Sequence, residues 1–213
     1  LDARRFGPVH TTEDYLYPRA IEIYGEHYTL QPPGHEKSSA RDIRRSPLYT
    51  TLKSHGAEYG SKFGWERPRY FCGPDTPDSA KHPSYFKPGW FDIVGDEHHQ
   101  IRSNVAVIDL TSFAKFEISG PGAVEALQYL SVRNLDVPVG ETVYTQLCNK
   151  FGGIEADVTI GRTASDRFYY VTGTGNGVRD SDFIRRNSPA GSDFQISDVT
   201  SEYAVLLLTG PKS

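Results

Sequence analysis

Residues 142–173 constrain this chain more than any other stretch. Three runs of alternating polarity, TVYTQLCN, IEADVTIGR and RFYYVTG, follow one another along the sequence. A period of two puts successive side chains on opposite faces of an extended backbone, so each run predicts a half-buried β-strand. In the second run Ile154, Ala156, Val158 and Ile160 fall on one face, and Glu155, Asp157 and Thr159 on the other. The intervening NKFGG is a turn signal, which predicts an antiparallel hairpin. With a four-residue loop from Asn149 to Gly152, Cys148 pairs with Gly153 and Tyr144 falls opposite Asp157.

That register collects Tyr144, Gln146, Glu155, Asp157 and Thr159 on one polar, aromatic-edged face. A carboxylate beside an aromatic ring, if neighbouring elements cover it, can bind a flat heterocycle and exchange protons with ring nitrogens. Spacing alone favours the plainer alternative, an ordinary solvated strand face. A one-residue slip would send Tyr144 to the other side.

Other elements frame this hairpin. TTEDYLYPRAIEIYGEHY reads as a helix with a Thr11/Asp14 capping box, which Pro18 must kink or restart. QPPGHEKSSARDIRR is a polar connection, and SPLYTTLKSHGA a helix capped by Ser46 and closed by Gly56. Residues 66–92, rich in proline and aromatics, predict an irregular segment pinned to a surface. A helix is expected from about Asp96, strands at VAVIDL and AKFEIS, and a helix at GPGAVEALQYL with Val124, Leu127 and Leu130 as its stripe. A helix at 177–187 and strands at FQISDVT and YAVLLLTG complete an α+β pattern.

Composition narrows the function. The net charge of −4 provides no basic stripe for nucleic acid, and no apolar run approaches membrane-spanning length. Cys72 and Cys148 lack metal-ligand spacing, and two cysteines are too few for a disulfide framework. His98 and His99 with Asp96 and Glu97 resemble a metal cluster, but adjacent helical residues do not face each other and a solvated helix start is the expectation. SGPGA and TGTGNG lack the lysine or full glycine set of phosphate loops and predict strand-to-helix turns. Asp109 and Ser112 fit turn or capping roles. The absence of methionine and the LDARRFG start lead us to expect an excerpt of a longer polypeptide.

RRSPLYTTLKSHGA, FGWERPRYF, EHHQIRSNVAVIDLTSFAKFEISGPGA, LDVPVGETVYTQLCNKFGGIEADVTIGR and DVTSEYAVLLLTGPKS together resemble the FAD-dependent sarcosine and dimethylglycine dehydrogenase family. From about Ser46 onward the chain is similar to that family's folate-binding domain, shared with the aminomethyltransferase (T-protein) of the glycine cleavage system. LDARRFGPVHTTEDYL resembles the close of the flavin-bearing half. The resemblance implies residues 1–45 as the end of the FAD half with its connection, and 46–213 as a partial T-protein-like folate-binding domain.

It also implies a function. The flavin half oxidises an N-methyl amine, and tetrahydrofolate captures the one-carbon unit as methylenetetrahydrofolate. In this reading Asp157 contacts the folate nitrogens as the catalytic residue, while Tyr144 and Thr159 line the pterin pocket. Glycine-cleavage proteins usually carry two adjacent acids in this motif; here Ala156 replaces the first, as in many of the dehydrogenase relatives. FAD would be held by a part absent from this chain, which lacks the GxGxxG fingerprint and the flavin-attachment histidine motif, and the excerpt alone is expected to be inactive. The implied partners are a folate and a methylated amine, with the electron acceptor undefined. The implied compartment is the mitochondrial matrix in a eukaryote or the cytoplasm in a bacterium. A second reading stays open, because the non-catalytic regulatory subunit of mitochondrial pyruvate dehydrogenase phosphatase belongs to the same family, and SYFKPGWFDIV and ALQYL resemble it.

Overall fold

A computed structural model describes residues 2–213, which divide into two compact units. One unit combines the segment ending at Gly7 with Phe113–Tyr203, and the other combines Pro8–Ser112 with Ala204–Ser213.

In the second unit a 3-10 turn (Pro8–Thr11) leads into α1 (Glu13–Gly25), a continuous helix through Pro18. The helix does not restart at the proline, whose missing N–H forgoes the bond to the Asp14 carbonyl. The expected capping box is also absent: Thr12 is the cap residue, and its hydroxyl donates to the Val9 carbonyl. The polar connection after α1 is fastened by carboxylates. Glu22 accepts from the backbone N–H groups of Ser38 (2.6 Å) and Ser39 (3.1 Å). Helix α2 (Tyr49–Ser54) begins where Ser46 Oγ accepts from Leu48 N, and ends at Gly56 with φ +87°. A Cβ at Gly56 would lie 2.0 Å from the Cys72 carbonyl oxygen.

Sequence patterning missed the hairpin of β1 (Ala57–Lys62) and β2 (Trp65–Phe71), whose second strand runs into the start of the stretch expected to be irregular. Its turn residues Phe63 (φ 53°) and Gly64 (φ 76°) are both left-handed, the geometry that matches strand twist in a two-residue hairpin. Pro68 hid the strand. The register shifts beside its partner Tyr59, and a proline without a donor is tolerated at such a bulge. Helix α3 (Phe91–Ser103) starts five residues before the expected Asp96, because Gly95 interrupts the helical pattern but stands in open space. Strand β3 (Ala106–Asp109) then pairs with the last strand, β9 (Leu206–Thr209).

The first unit is a five-stranded antiparallel sheet of β4 (Ala114–Ser119), β5 (Thr142–Cys148), β6 (Ile154–Ala164), β7 (Arg167–Thr172) and β8 (Gln195–Asp198), in the order β5-β6-β7-β4-β8. Helices α4 (Ala123–Leu130) and α5 (Gly177–Asn187) cover one face. The core there joins Phe116, Ile118, Val143, Leu147, Val158, Ile160, Phe168 and Tyr170 to Leu127, Leu130, Phe183 and Ile184. The expected α4 stripe holds at Leu127 and Leu130, with Val124 partly buried and Ala123 and Ala126 fully so.

The opposite face is unevenly covered. Lys115 is buried, its Nζ donating to the Tyr203 carbonyl (2.7 Å), and Tyr203 meets Tyr169 edge-on at 5.8 Å. The 199–203 segment thus roofs the β4/β7 half. Tyr144, Asp157 and Thr159, on β5 and β6, lie open.

One buried carboxylate stands out among the core groups. Asp180 on α5 is 1% exposed; its Oδ2 accepts from Thr172 (2.6 Å) and Tyr170 (3.3 Å), and its Oδ1 makes no hydrogen bond. Burial raises its pKa, so the folded state holds this proton more tightly than the unfolded chain. Its stabilising contribution is therefore complete below the ordinary carboxylate range and is lost as pH rises through the folded value. Denaturant titrations between pH 4 and 7 should show this slope in the native sequence and a shallower one in Asp180→Asn.

Candidate functional site

The site is built on the β5/β6 hairpin, whose turn is set by a single side chain. Asn149 Oδ1 accepts from the N–H groups of Phe151 (3.0 Å) and Gly153 (3.0 Å), and its Nδ2 donates to Glu155 (2.7 Å). Gly152 takes φ +79°, and a Cβ on Gly153 would come within 2.9 Å of the Asn149 amide. Both glycines of NKFGG are thereby required, one for conformation and one for space.

This turn corrects the expected register. Cys148 pairs with Ile154 and not with Gly153, because the loop takes five residues, 149–153. Leu147 then pairs with Ala156, so Glu155 is a bulge. Each departure shifts the register by one residue. Their sum places Tyr144 opposite Thr159, and Gln146 opposite Asp157. Tyr144 and Asp157 are diagonal neighbours, not the directly opposed pair expected from a four-residue loop. They remain on one face because two single shifts restore the strand period. Ile154, before the bulge, leaves the apolar row and is 68% exposed.

Tyr144, Asp157 and Thr159 are therefore brought together. Gln146 Nε2 donates to Asp157 Oδ1 (3.3 Å). The Tyr144 phenol is raised above its ordinary pKa, first by its hydrogen-bonding interaction with Asp157 and then by desolvation. Its ring is 56% exposed. A carboxylate reached by both Gln146 and the Tyr144 phenol, with lone pairs to spare, and a hydroxyl at Thr159 form a platform that can accept N–H groups of a flat ring. Glu155 is turned away from this group toward Asn149 and Arg179 (3.5 Å).

The other candidates take structural roles. Asp109 accepts from Thr111 N (2.9 Å) and from the Ser46 hydroxyl, as expected of a turn residue. Gly120, with φ +132°, and Gly122 form the turn into α4. Glu97 accepts from Phe71 N (2.7 Å), and among the described residues no group of His, Cys, Asp and Glu could hold a metal ion. No described helix is long and apolar enough to cross a membrane. Asn149 and Asp180 were not singled out by sequence reasoning. An Asn directly before a GG turn is a usable signal for the former; nothing in the amphipathic pattern of α5 marks the latter.

Comparison with known proteins places this geometry in a family. Residues 48–213 match the GCVT N-terminal domain, and residues 1–46 match the FAD dependent oxidoreductase central domain. The mouse (Mus musculus) mitochondrial pyruvate dehydrogenase phosphatase regulatory subunit is 38% identical, over 100% of this chain and 25% of its own length. The 4-methylaminobutanoate oxidase (formaldehyde-forming) of Paenarthrobacter nicotinovorans is 35% identical, over 100% of this chain and 26% of its own. Mouse mitochondrial dimethylglycine dehydrogenase is 34% identical, over 99% and 24%. The chain thus spans about a quarter of these relatives. The crystal structure of the glycine cleavage system aminomethyltransferase T from Bartonella henselae superposes with a TM-score of 0.62 at 26% identity, covering 80% of this chain and 42% of that one.

The Tyr144–Asp157 interaction is open to direct measurement. Removing the carboxylate as Asp157→Asn should bring the Tyr144 phenol back toward its ordinary value, read as a difference in alkaline tyrosine absorbance against Tyr144→Phe. An unchanged titration would mean that the two side chains do not interact. By sequence and fold alike, the chain belongs to the dimethylglycine and sarcosine dehydrogenase family, whose members include the pyruvate dehydrogenase phosphatase regulatory subunit and whose GCVT N-terminal domain has the glycine-cleavage T-protein fold.

Proposed function

We propose that this chain is part of an FAD- and tetrahydrofolate-linked N-demethylating dehydrogenase of the sarcosine or dimethylglycine type. Residues 1–45 would close its flavin half, and residues 46–213 would form part of its folate-binding domain. The observation that carries this reading is the open β5/β6 platform, where Asp157, Tyr144 and Thr159 converge. These groups fit a reduced pterin. Asp157 would accept N–H groups of the ring and hand protons to or from it, Tyr144 would border the ring, and Thr159 would line the pocket beside it. Bound tetrahydrofolate would supply the nitrogens that capture the one-carbon unit, which gains from proximity to the iminium released by amine oxidation. FAD would be bound by residues outside this chain. The mitochondrial names of several relatives favour the matrix if the source is eukaryotic.

A second reading is favoured by one observation, the 38% identity to the phosphatase regulatory subunit across the whole chain. In that reading the protein acts by binding a phosphatase partner. Amine-dependent flavin reduction by the full-length protein separates the two, since a purely regulatory relative would show none while sedimenting with the phosphatase.

Calorimetry on the full-length protein should detect tetrahydrofolate binding; its absence would sink the folate reading. The fate of the one-carbon unit tests Asp157 separately. In Asp157→Asn, amine oxidation should continue while formaldehyde accumulates at the expense of methylenetetrahydrofolate. An unchanged methylenetetrahydrofolate yield would remove Asp157 from proton handling.

A further inference from the structure

Family resemblance marks Tyr144, Asp157 and Thr159, but the observed register puts a different residue directly across from the carboxylate. Gln146 is the cross-strand partner of Asp157, half-buried, with its Nε2 3.3 Å from Oδ1. The same side chain interacts with the Tyr144 hydroxyl. It therefore touches both members of the pair from the strand that carries Tyr144.

We propose that Gln146 is a positioning residue for Asp157, its amide holding one carboxylate oxygen so that the other is presented to the ligand ring. The inference rests on the folate reading above and deepens it. An exposed Asp side chain on a strand rotates freely about its terminal torsion, which is broad and roughly two-fold. A donor fixed on the adjacent strand selects one orientation. It occupies Oδ1 of a carboxylate that the Tyr144 hydroxyl also reaches, and the remaining lone pairs can still accept an N–H group. The choice of an amide matters chemically. A carboxamide cannot ionise in the working range, so it keeps its N–H donor for the carboxylate at every pH. A carboxylate at the same position would oppose Asp157 with like charge at close cross-strand distance. Leucine would fill the space without donating.

The chain's own geometry also explains why position 146 carries this task and Thr159 does not. Thr159 lies opposite Tyr144, two residues along β6 from Asp157 and on the same strand. Gln146 is the one long polar side chain directly paired with the acid across β5 and β6.

The test uses the full-length protein with 5-formyltetrahydrofolate as probe, in calorimetry, and crystal structures of the variants. Gln146→Leu should weaken probe binding about tenfold, the scale of a lost hydrogen bond to a charged group. Gln146→His, which keeps an N–H donor, should recover most of that loss. Gln146→Glu should bind worst at pH 8 and improve toward pH 5. In crystals of Gln146→Leu the Asp157 carboxylate should leave its native orientation. An unchanged affinity in Gln146→Leu, or a native Asp157 orientation there, overturns the proposal, as does a loss that histidine does not recover. If the unmodified protein bound no probe, the folate reading would fall, and the crystal comparison alone would decide whether Gln146 positions Asp157.

Discussion

The Asn149 side chain is the constraint on which the site depends. It closes the β5/β6 turn with two accepted N–H bonds and reaches Glu155 with its amide. By tying up Glu155 it also sits beside the bulge that sets the second half of the hairpin register. Short polar side chains that bind their own backbone compete with regular strand pairing, and here that competition is used to end one strand and offset the next. The two glycines that follow are the backbone complement of the same device.

From that turn the two faces of the sheet diverge in character. One face is sealed by α4 and α5 into a continuous apolar core. The other is closed only where the 199–203 segment lies on Lys115 and Tyr169. The open remainder lies along the β5/β6 hairpin that the Asn149 turn closes. An aromatic and a carboxylate left in water have no packing reason to be together, which is why Tyr144 and Asp157 are informative and the equally polar Glu155, engaged by Asn149 and Arg179, is not.

Periodicity revealed most of the first unit. The three runs at 142–173, the strands at 114–119 and 195–198, and the helix at 177–187 all stand where alternation or helical spacing placed them. What patterning missed shares a physical cause: local backbone exceptions. Pro68 sits at a bulge, Gly95 lies within a helix, and Pro18 is tolerated inside α1. Each is a residue whose usual effect is to break an element, offset by pairing or packing that only the folded chain displays. Asp180 was illegible for the opposite reason. A charged residue in a helix reads as solvent-facing, and only tertiary burial turns it inward.

The observed register differs from the expected one, yet Tyr144, Gln146, Asp157 and Thr159 still share a face while Glu155 leaves it, and strand geometry explains both outcomes. A strand exchanges its faces with every single-residue slip, so a loop miscounted by one residue would have split Tyr144 from Asp157. The five-residue loop did introduce that slip, and the bulge at Glu155 introduced a second. Face membership depends only on whether the number of slips is even, whereas cross-strand partners depend on the number itself. Four of the five residues expected on one face therefore stay together there, although their cross-strand contacts differ from the expected ones. The residue that gained most from the corrected count is Gln146, which moved from a bystander on the platform to the direct partner of its carboxylate.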